Sequence, residues 1–290
     1  MALKCRTLGR PLLGVMKSVV DSNYLQSEDL RTYLRRSRAN EVVFTDYAFI
    51  EATKDDTFAS VYKSLTILSE FPQQVIVLKT TWDVCSLHGG SKGLQRRLVD
   101  VPRTREFEMF CNALRNAQRG EPSMQQELLR LGREATAHLH GVRQDATAFA
   151  ESGLEAATML TREEQRQVRD SDQLPIETLR KLTQATIWQC EVLFANHPAI
   201  RRLPTRVELP NTYIFRSSLC HLILVIKWAF DGGTSPSPDR LRNDMVDTHF
   251  AAYSTYFDAL LSKDRTPQLI ARQARAFLPR MAQILEVVPR

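Results

Sequence analysis

The chain has 290 residues, enough for one large domain or two small ones with a substantial hydrophobic core. Its 43% hydrophobic and 25% charged residues are close to the averages for soluble globular proteins. The net charge of +6 arises with 30 arginines but only 9 lysines. Because the planar arginine fork suits phosphate groups, this bias permits a nucleic-acid partner, although arginine usage in a GC-rich bacterial genome explains it equally well.

The five cysteines are scattered, without a CxxC pair or a Cys/His cluster at zinc spacing. This pattern argues against a structural zinc site and a disulfide scaffold, and it fits a reducing cytosol. The basic N-terminus lacks the pattern of a signal peptide. Residues 212–231 are the most apolar segment, but His221, Arg216 and Lys227 favour a buried helix over a membrane span. We therefore expect a cytoplasmic protein with no membrane partner.

The first third of the chain is predicted to combine helices with two short strands. Residues 8–38 are predicted to be helical, with a second helix start at the Ser-Glu-Asp of residues 27–29. The run EVVFTD predicts a buried strand over 42–45 that ends at Asp46, and QQVIVLKT predicts another over 75–78. Helices are predicted between these strands and, briefly, in WDVCSLHG.

The middle of the chain, residues 103–204, is rich in Glu, Gln, Arg and Ala and almost free of strand signals. Its period and composition predict helices, interrupted at residues 120–122 and 172–175. We interpret this segment as a helical insertion between the two parts of a core, residues 1–102 and 205–290.

The last third is predicted to return to mixed structure. A helix over 212–230 ends at the loop GGTSPSPD, and Asn243 is a suitable cap for the next helix. A third strand is predicted over 259–262, followed by an amphipathic helix that Thr266 could cap. The closing LEVVPR has the composition of a further strand. Because strands alternate with helices, the sequence predicts an α/β fold, a three-layer α/β/α arrangement with a mostly parallel sheet.

Five carboxylates are candidates for a site. In open parallel sheets, functional residues collect at the carboxyl ends of strands. Asp46 and Asp264 each end a predicted strand, Asp244 and Asp247 lie one helical turn apart, and Glu51 follows Asp46 closely. Carboxylates brought together need cations, and oxygen ligands without Cys or His suit Mg²⁺ or Mn²⁺. Such ions activate water against phosphodiesters, which is the chemistry of nucleases.

Two motifs resemble those of the PIN-domain nucleases. FTDYAFIEA resembles the first-strand motif of that family, an apolar run that ends in Asp and continues into a helix. NDMVDTHFAAYSTYFDALLSKD resembles its C-terminal motif. The resemblance implies a Mg²⁺- or Mn²⁺-dependent endoribonuclease, a toxin, a defence effector or an RNA-processing enzyme. It also implies that Asp46, Asp244 and Asp264 hold the metal and that Asp247 is an additional acidic ligand.

The resemblance covers about residues 40–90 and 205–280, and the helical middle has no counterpart in a minimal PIN domain. The family usually places a glutamate just after its second strand, where this chain has VIVLKTTWDVC and Asp83. Either Glu51 or Asp83 is expected to replace it. Arg240, Arg242 and Arg265 flank the acidic residues and are candidates for phosphate contacts with a nucleic acid, RNA in preference to DNA.

Two other functions remain open from the sequence. A catalytically inactive PIN-like protein could act as a scaffold, with the helical insertion contacting a regulatory protein or a second copy of the chain. Two Arg-x4-His patterns, Arg133 to His138 and Arg216 to His221, resemble those of the metal-independent HEPN ribonucleases. The aromatic residues of the C-terminal motif could stack on bases, but their helical spacing is more typical of a core.

Overall fold

The computed structural model describes residues 15–54, 58–230 and 237–287. Four short strands form a parallel sheet in the order β3-β2-β1-β4. The strands are β1 (Met16–Val20), β2 (Asn40–Phe44), β3 (Val75–Val77) and β4 (Ala259–Leu261). The protein is therefore an α/β protein with a four-stranded parallel sheet and a largely helical remainder.

The two central strands are apolar on both faces, as expected when helices cover both sides of a parallel sheet. Val19 of β1 lies opposite Val43 of β2 and Leu260 of β4. Val43 in turn lies opposite Ile76 of β3. Because all four strands run in the same direction, the residues that follow them meet at one edge, which we call the carboxyl edge of the sheet.

Twelve helices account for most of the remaining described residues. They are α1 (Glu28–Arg36), α2 (Asp46–Thr53), α3 (Phe58–Glu70), α4 (Thr81–Cys85), α5 (Leu94–Leu98), α6 (Val101–Gln118), α7 (Pro122–Ala157), α8 (Arg162–Asp170), α9 (Ile176–Asn196), α10 (Tyr213–Phe230), α11 (Pro238–Ser254) and α12 (Arg265–Val287).

The helical middle of the chain packs into the same core as the sheet. Helix α6 contacts β3, α7 contacts α2, α10 and α11, and α9 contacts α10 and α12. Most buried residues of these helices and of the sheet belong to one apolar cluster, and Ala146, Leu241 and Met245 form a second, smaller one between α7 and α11. Helix α10 is long and apolar enough to cross a membrane by composition, and 67% of its apolar window is buried inside the protein.

Several predicted elements are confirmed. The strands predicted at 42–45, 75–78 and 259–262 correspond to β2, β3 and β4. The helical middle and the buried helix α10 are also present. Helix α1 begins where predicted, and the Ser27 hydroxyl accepts a hydrogen bond from the Asp29 amide. The predicted break near residue 120 is a turn in which Gly120 has φ of +98°, a conformation that favours glycine.

The prediction of a helix over residues 8–38 is wrong at its centre, because residues 16–20 form β1; residues 8–14 lie outside the described residues. Apolar side chains recur there at spacings that fit both periods. Pairing on both sides, with β2 and β4, decides in favour of the strand.

Three predicted boundaries near the C-terminus also differ. Helix α11 begins at Pro238 with Ser237 as its cap, so Asn243 lies inside the helix. Thr266 is the second residue of α12 and not its cap. The predicted strand in LEVVPR is wrong up to Val287, where α12 continues, and residues 288–290 lie outside the described residues. The amphipathic face of α12 extends the helix, burying Met281 and Leu285 against the core.

Two glycines of α7 provide a paired test of the packing between α7 and α10. A Cβ on Gly153 would lie 2.6 Å from His221 Cε1 and 2.8 Å from Val225 Cγ2, whereas a Cβ on Gly141 meets nothing within 4 Å. We expect Gly153→Ala to lower the free energy of unfolding by about 1–3 kcal/mol through overpacking. Gly141→Ala should raise it by about 0.5–1 kcal/mol through helix propensity. Urea unfolding of both variants checks this; equal effects would contradict the described packing.

Candidate functional site

The loops that follow β1 and β4 meet at the carboxyl edge of the sheet. Asp21 comes directly after β1, and its amide donates a hydrogen bond to the Leu261 carbonyl at the end of β4, over 2.9 Å. The Ser262 hydroxyl donates to Asp21 Oδ2 over 2.5 Å. The Asn23 side-chain amide donates to Asp264 Oδ2 over 2.5 Å. Parallel pairing thus places two carboxylates, 243 positions apart in sequence, at neighbouring strand ends.

Helices α2 and α11 add three further carboxylates beside these loops. Glu51 of α2 accepts a hydrogen bond from the Ser22 hydroxyl, next to Asp21. Asp244 and Asp247 lie on α11, which packs against β1 and β4. We call the five residues Asp21, Glu51, Asp244, Asp247 and Asp264 the acidic cluster.

The members of the acidic cluster repel one another electrostatically. The pKa of Asp247 is raised from its ordinary value of 3.8 to about 8. Burial is the largest cause, and the charges of the other four carboxylates, Asp21, Asp244, Asp264 and Glu51, contribute the rest. Burial also raises the pKa of Asp21, helped by Glu51 and Asp264 and opposed by the hydrogen bond from Ser262.

Positive charge from the protein balances only part of the cluster. Lys54 Nζ lies 3.4 Å from Glu51 Oε1, and Arg240 Nε lies 3.8 Å from Asp244 Oδ2. The Trp228 indole also donates to Asp244 Oδ2 over 2.9 Å. Asp21, Asp247 and Asp264 form no ion pair with any lysine or arginine that the structure describes.

The donor atoms of the cluster are all carboxylate oxygens, the chemistry that Mg²⁺ and Mn²⁺ prefer. Hydrogen bonds from Ser22, Asn23 and Ser262 position Glu51, Asp264 and Asp21 respectively. Within residues 15–54, 58–230 and 237–287, no group of three or more Asp, Glu, His or Cys side chains is arranged so that it could hold a metal ion. The residue types therefore fit a hard divalent cation. The described side chains are arranged for hydrogen bonds within the protein and not around a metal ion.

Asp46 forms hydrogen bonds with Tyr47 and Thr81, and its expected grouping with Asp244 and Asp264 stays a prediction. Its Oδ2 accepts the Thr81 amide over 2.5 Å, and its Oδ1 accepts the Thr81 hydroxyl over 2.8 Å. Thr81 begins α4, which follows β3. Burial raises the pKa of Asp46, and the hydrogen bonds from Thr81 oppose that shift. Of the two strand-end aspartates, Asp21 is the one whose pKa is raised by the charge of Asp264.

Asp21 is not among the site residues predicted from the sequence, because the strand before it was predicted to be helical. The signal that could have found it is the run Ser-Val-Val-Asp at 18–21, which ends an apolar β-branched stretch in Asp much as EVVFTD does. Of the two candidates for the remaining acidic position, Glu51 lies in the cluster. Asp83 is exposed and accepts a hydrogen bond from Thr80 at the start of α4.

The three arginines proposed for phosphate contacts occupy different positions. Arg265 is the first residue of α12, directly after Asp264, and it lines a concavity of about 500 Å³ with Lys227 and Arg272. Arg240 pairs with Asp244 as described. Arg242 donates to Asn243 Oδ1 and lies 3.7 Å from Asp239. The concavity places positive charge next to the acidic cluster.

In the Arg216 and His221 pair, His221 is fully buried and Arg216 is half-buried. Arg216 donates to the Thr255 carbonyl over 2.8 Å and stacks on the Tyr256 ring. His221 stacks on Phe149, and burial lowers its pKa to about 3. The aromatic residues of the C-terminal motif are also buried, as their helical spacing suggested: Phe250, Tyr253, Tyr256 and Phe257. None of these groups is positioned to contact a nucleic acid.

Comparisons of this chain with protein-family models, curated proteins and solved structures find no match. Its function therefore has to be argued from the sheet, the acidic cluster and the surfaces around them.

The raised pKa of Asp247 predicts a dependence of stability on pH. The folded protein holds this proton more tightly than the unfolded chain, so the wild-type free energy of unfolding falls as the pH rises from about 4 to about 8. Asp247→Asn removes this loss. We expect the variant to be more stable than the wild type at pH 9, on the order of 1–3 kcal/mol after solvent screening, and equally stable below pH 4.

Asp239→Asn is the matched control, because Asp239 is exposed in the first turn of the same helix. Its effect should stay within about 0.5 kcal/mol at both pH values. Urea unfolding at pH 4 and pH 9, without divalent ions, measures all three proteins. A gain for Asp247→Asn that is the same at both pH values would contradict the electrostatic explanation.

Proposed function

We propose that this protein is a metal-dependent nuclease with a PIN-like fold, acting on RNA. One observation carries the proposal: Asp21, Asp247 and Asp264, which form no ion pair with a lysine or arginine among residues 15–54, 58–230 and 237–287, lie near one another where β1 and β4 end. Ligand sites of open parallel sheets lie at this edge. The raised pKa of Asp247 also shows that ionising this carboxylate is unfavourable in the folded protein, and a bound cation would favour its ionised form.

Asp21, Asp247 and Asp264 are the residues that would hold Mg²⁺ or Mn²⁺, with Glu51 and Asp244 beside them. When bound, such an ion polarises a phosphodiester and lowers the pKa of a water molecule. Glu51 and Asp244 each have a partner already, Lys54 and Arg240, and so would accept hydrogen bonds from water more readily than they would bind a metal. Their role is to orient the attacking water.

The resemblance to PIN nucleases supports the proposal if Asp21 is taken as the aspartate that follows the first strand. In the run SVVDSNY, the apolar strand β1 is followed directly by Asp21, the same feature that FTDYAFIEA shows at Asp46. The C-terminal motif contributes Asp244, Asp247 and Asp264 as before. RNA is preferred to DNA because the resembled family consists mostly of ribonucleases.

The basic concavity of Lys227, Arg265 and Arg272 supports a polyanionic substrate. Arg265 is adjacent in sequence to Asp264, so a phosphate held there lies next to the acidic cluster. Arg272, two turns further along α12, extends the positive charge, although it also pairs with Asp172 over 3.0 Å. A phosphate chain lying along α12 would present one phosphodiester to the cluster.

The second candidate is a PIN-like protein that binds but does not cut nucleic acid. The hydrogen bonds from Ser22, Asn23 and Ser262 favour it, because they hold the carboxylates without a metal ion. The two functions differ in their response to Mn²⁺.

Removal of a cluster carboxylate tests the nuclease proposal. We expect the wild type to cleave single-stranded RNA with Mn²⁺ and not with EDTA. Asp247→Asn and Asp264→Asn should each lower the cleavage rate by about 100-fold or more, since removing a metal ligand costs at least as much as removing its supporting partner. Asp239→Asn, on the same helix as Asp247, should cleave as the wild type does.

A thermal-shift titration with Mn²⁺ separates the two candidate functions. A nuclease of this type should be stabilised by Mn²⁺ in proportion to its binding, and this shift should be lost in Asp247→Asn. Wild-type protein that shows neither a shift nor cleavage would assign the chain to the non-catalytic alternative. Cleavage that persists in both variants or in EDTA would refute the metal-dependent mechanism.

The basic concavity predicts a local effect on RNA affinity. Arg265→Ala should weaken RNA binding and reduce the dependence of log K on log salt concentration by about 0.7, the value for one contact with a single strand. Arg35→Ala is the control, because Arg35 lies near the end of α1, just before β2 begins and thus at the opposite edge of the sheet. Fluorescence anisotropy in EDTA measures both; equal losses would contradict a binding surface at α12.

A further inference from the structure

A second concavity lies at the carboxyl ends of β2 and β3, beside the acidic cluster but separate from it. Its volume is about 800 Å³, within the range of small-molecule sites. The walls come from α2, α4, α6 and α7. Most of its lining is aromatic or aliphatic, and includes Phe44, Phe49, Phe107, Phe110, Val77 and Leu131.

The aromatic rings of this cavity pack edge to face with one another. Phe44 and Phe49 have centroids 6.3 Å apart at 85°, and Phe49 and Phe110 have centroids 5.9 Å apart at 61°. Phe44 also contacts Phe107, at 6.1 Å and 65°. Rings held in this way present both edges and faces to the cavity. A planar aromatic ligand can therefore make further edge-to-face or stacked contacts with them.

The polar and charged residues of the lining are Thr45, Asp46, Thr80, Thr81, Arg103, Glu106, His138 and His197. Both oxygens of Asp46 already accept hydrogen bonds from Thr81. The Thr81 hydroxyl is also 2.9 Å from the Tyr253 hydroxyl. The His197 ring packs against Trp82, whereas the His138 ring packs edge-on against Tyr47, with centroids 5.7 Å apart. The imidazole of His138 is thus the group best placed to meet one polar atom of a guest.

The charges of the lining restrict the guest further. Arg103 is the only lysine or arginine among the described lining residues, and it lies 3.5 Å from Asp100. A phosphorylated guest would find no cluster of cations, and it would approach the Asp46 carboxylate. A nucleobase would need several directed hydrogen bonds, whereas Asp46 and Thr81 are already engaged with each other. Both features favour an uncharged guest with a large apolar surface.

We propose that this cavity is a binding site for a small, uncharged, mainly apolar aromatic molecule that carries a single hydrogen-bonding group. The aromatic body lies among Phe44, Phe49 and Phe110, and the polar group faces His138. The site is independent of the nuclease chemistry, but it shares α2 with the acidic cluster. Phe49 and Ile50 line the cavity, and the next residue, Glu51, accepts the Ser22 hydroxyl on the cluster side.

The test uses N-phenyl-1-naphthylamine, an uncharged apolar aromatic dye whose fluorescence rises in apolar surroundings, with the full chain. We expect saturable binding of one dye per chain. Leu131→Trp places a bulky side chain into the cavity from α7 and should weaken dye binding at least about tenfold. Leu154→Trp makes the same change at an exposed position of the same helix and should bind the dye as the wild type does.

A second variant covers the case in which Leu131→Trp fails to fold. Trp82 lines the cavity mouth, so energy transfer from tryptophan to bound dye should fall in Trp82→Phe and persist in Trp188→Phe. Non-saturable dye binding, unchanged affinity in a folded Leu131→Trp, or equal energy transfer in both tryptophan variants would overturn the proposal. Displacement of the dye by free adenosine or cytidine at similar potency to a simple uncharged aromatic such as naphthalene would assign the cavity to a nucleobase and overturn the proposed ligand class.

Discussion

The parallel pairing of β1 with β4 is the constraint on which the candidate site depends. The ladder aligns Val19 with Leu260, and the chain leaves both strands at the same edge. The hydrogen bonds that follow, from the Asp21 amide to Leu261 and from Ser262 to Asp21, continue the ladder into the loops. The positions of these carboxylates therefore depend directly on the backbone pairing of β1 with β4. A shift in the register between β1 and β4 would move Asp21 away from Asp264 and disrupt the cluster without any change of sequence at these positions.

The acidic cluster opposes folding, and the rest of the structure offsets it. The burial of Asp21, Asp244 and Asp247 beside other carboxylates raises the free energy of the folded state at neutral pH. The offset comes from apolar burial nearby: α11, which carries Asp244 and Asp247, also buries Phe250 and Tyr253 completely. The helical middle of the chain contributes to the same core through α7 and α9. Asp247 and Phe250 are three residues apart on α11, so the unfavourable charge and the apolar burial that offsets it lie one helical turn apart on the same helix.

The sequence predicted the elements whose local pattern and tertiary environment agree. β2, β3 and β4 are β-branched runs with polar ends, and α6 to α9 have a helical period throughout. β1 was missed because its five residues fit either period, and only its two neighbours in the sheet decide between them. Four of the five cluster carboxylates were chosen from strand ends and helix spacing. Asp46 was preferred to Asp21 because a sequence shows that a carboxylate ends a strand but not toward which neighbour its side chain turns.

The distance in sequence between β1 and β4 also has a consequence for synthesis. Asp21 and Ser262 are separated by 241 positions, and the intervening segment of the chain contains every other described strand and nearly all the helices. A chain emerging from the ribosome can form β1, β2 and β3 early, but β1 keeps an unpaired edge until residue 261 is made. Whatever chemistry the carboxylates perform, it begins only after this last pairing. Premature termination before β4 would release a partly formed sheet that lacks the site, with an exposed edge open to aggregation.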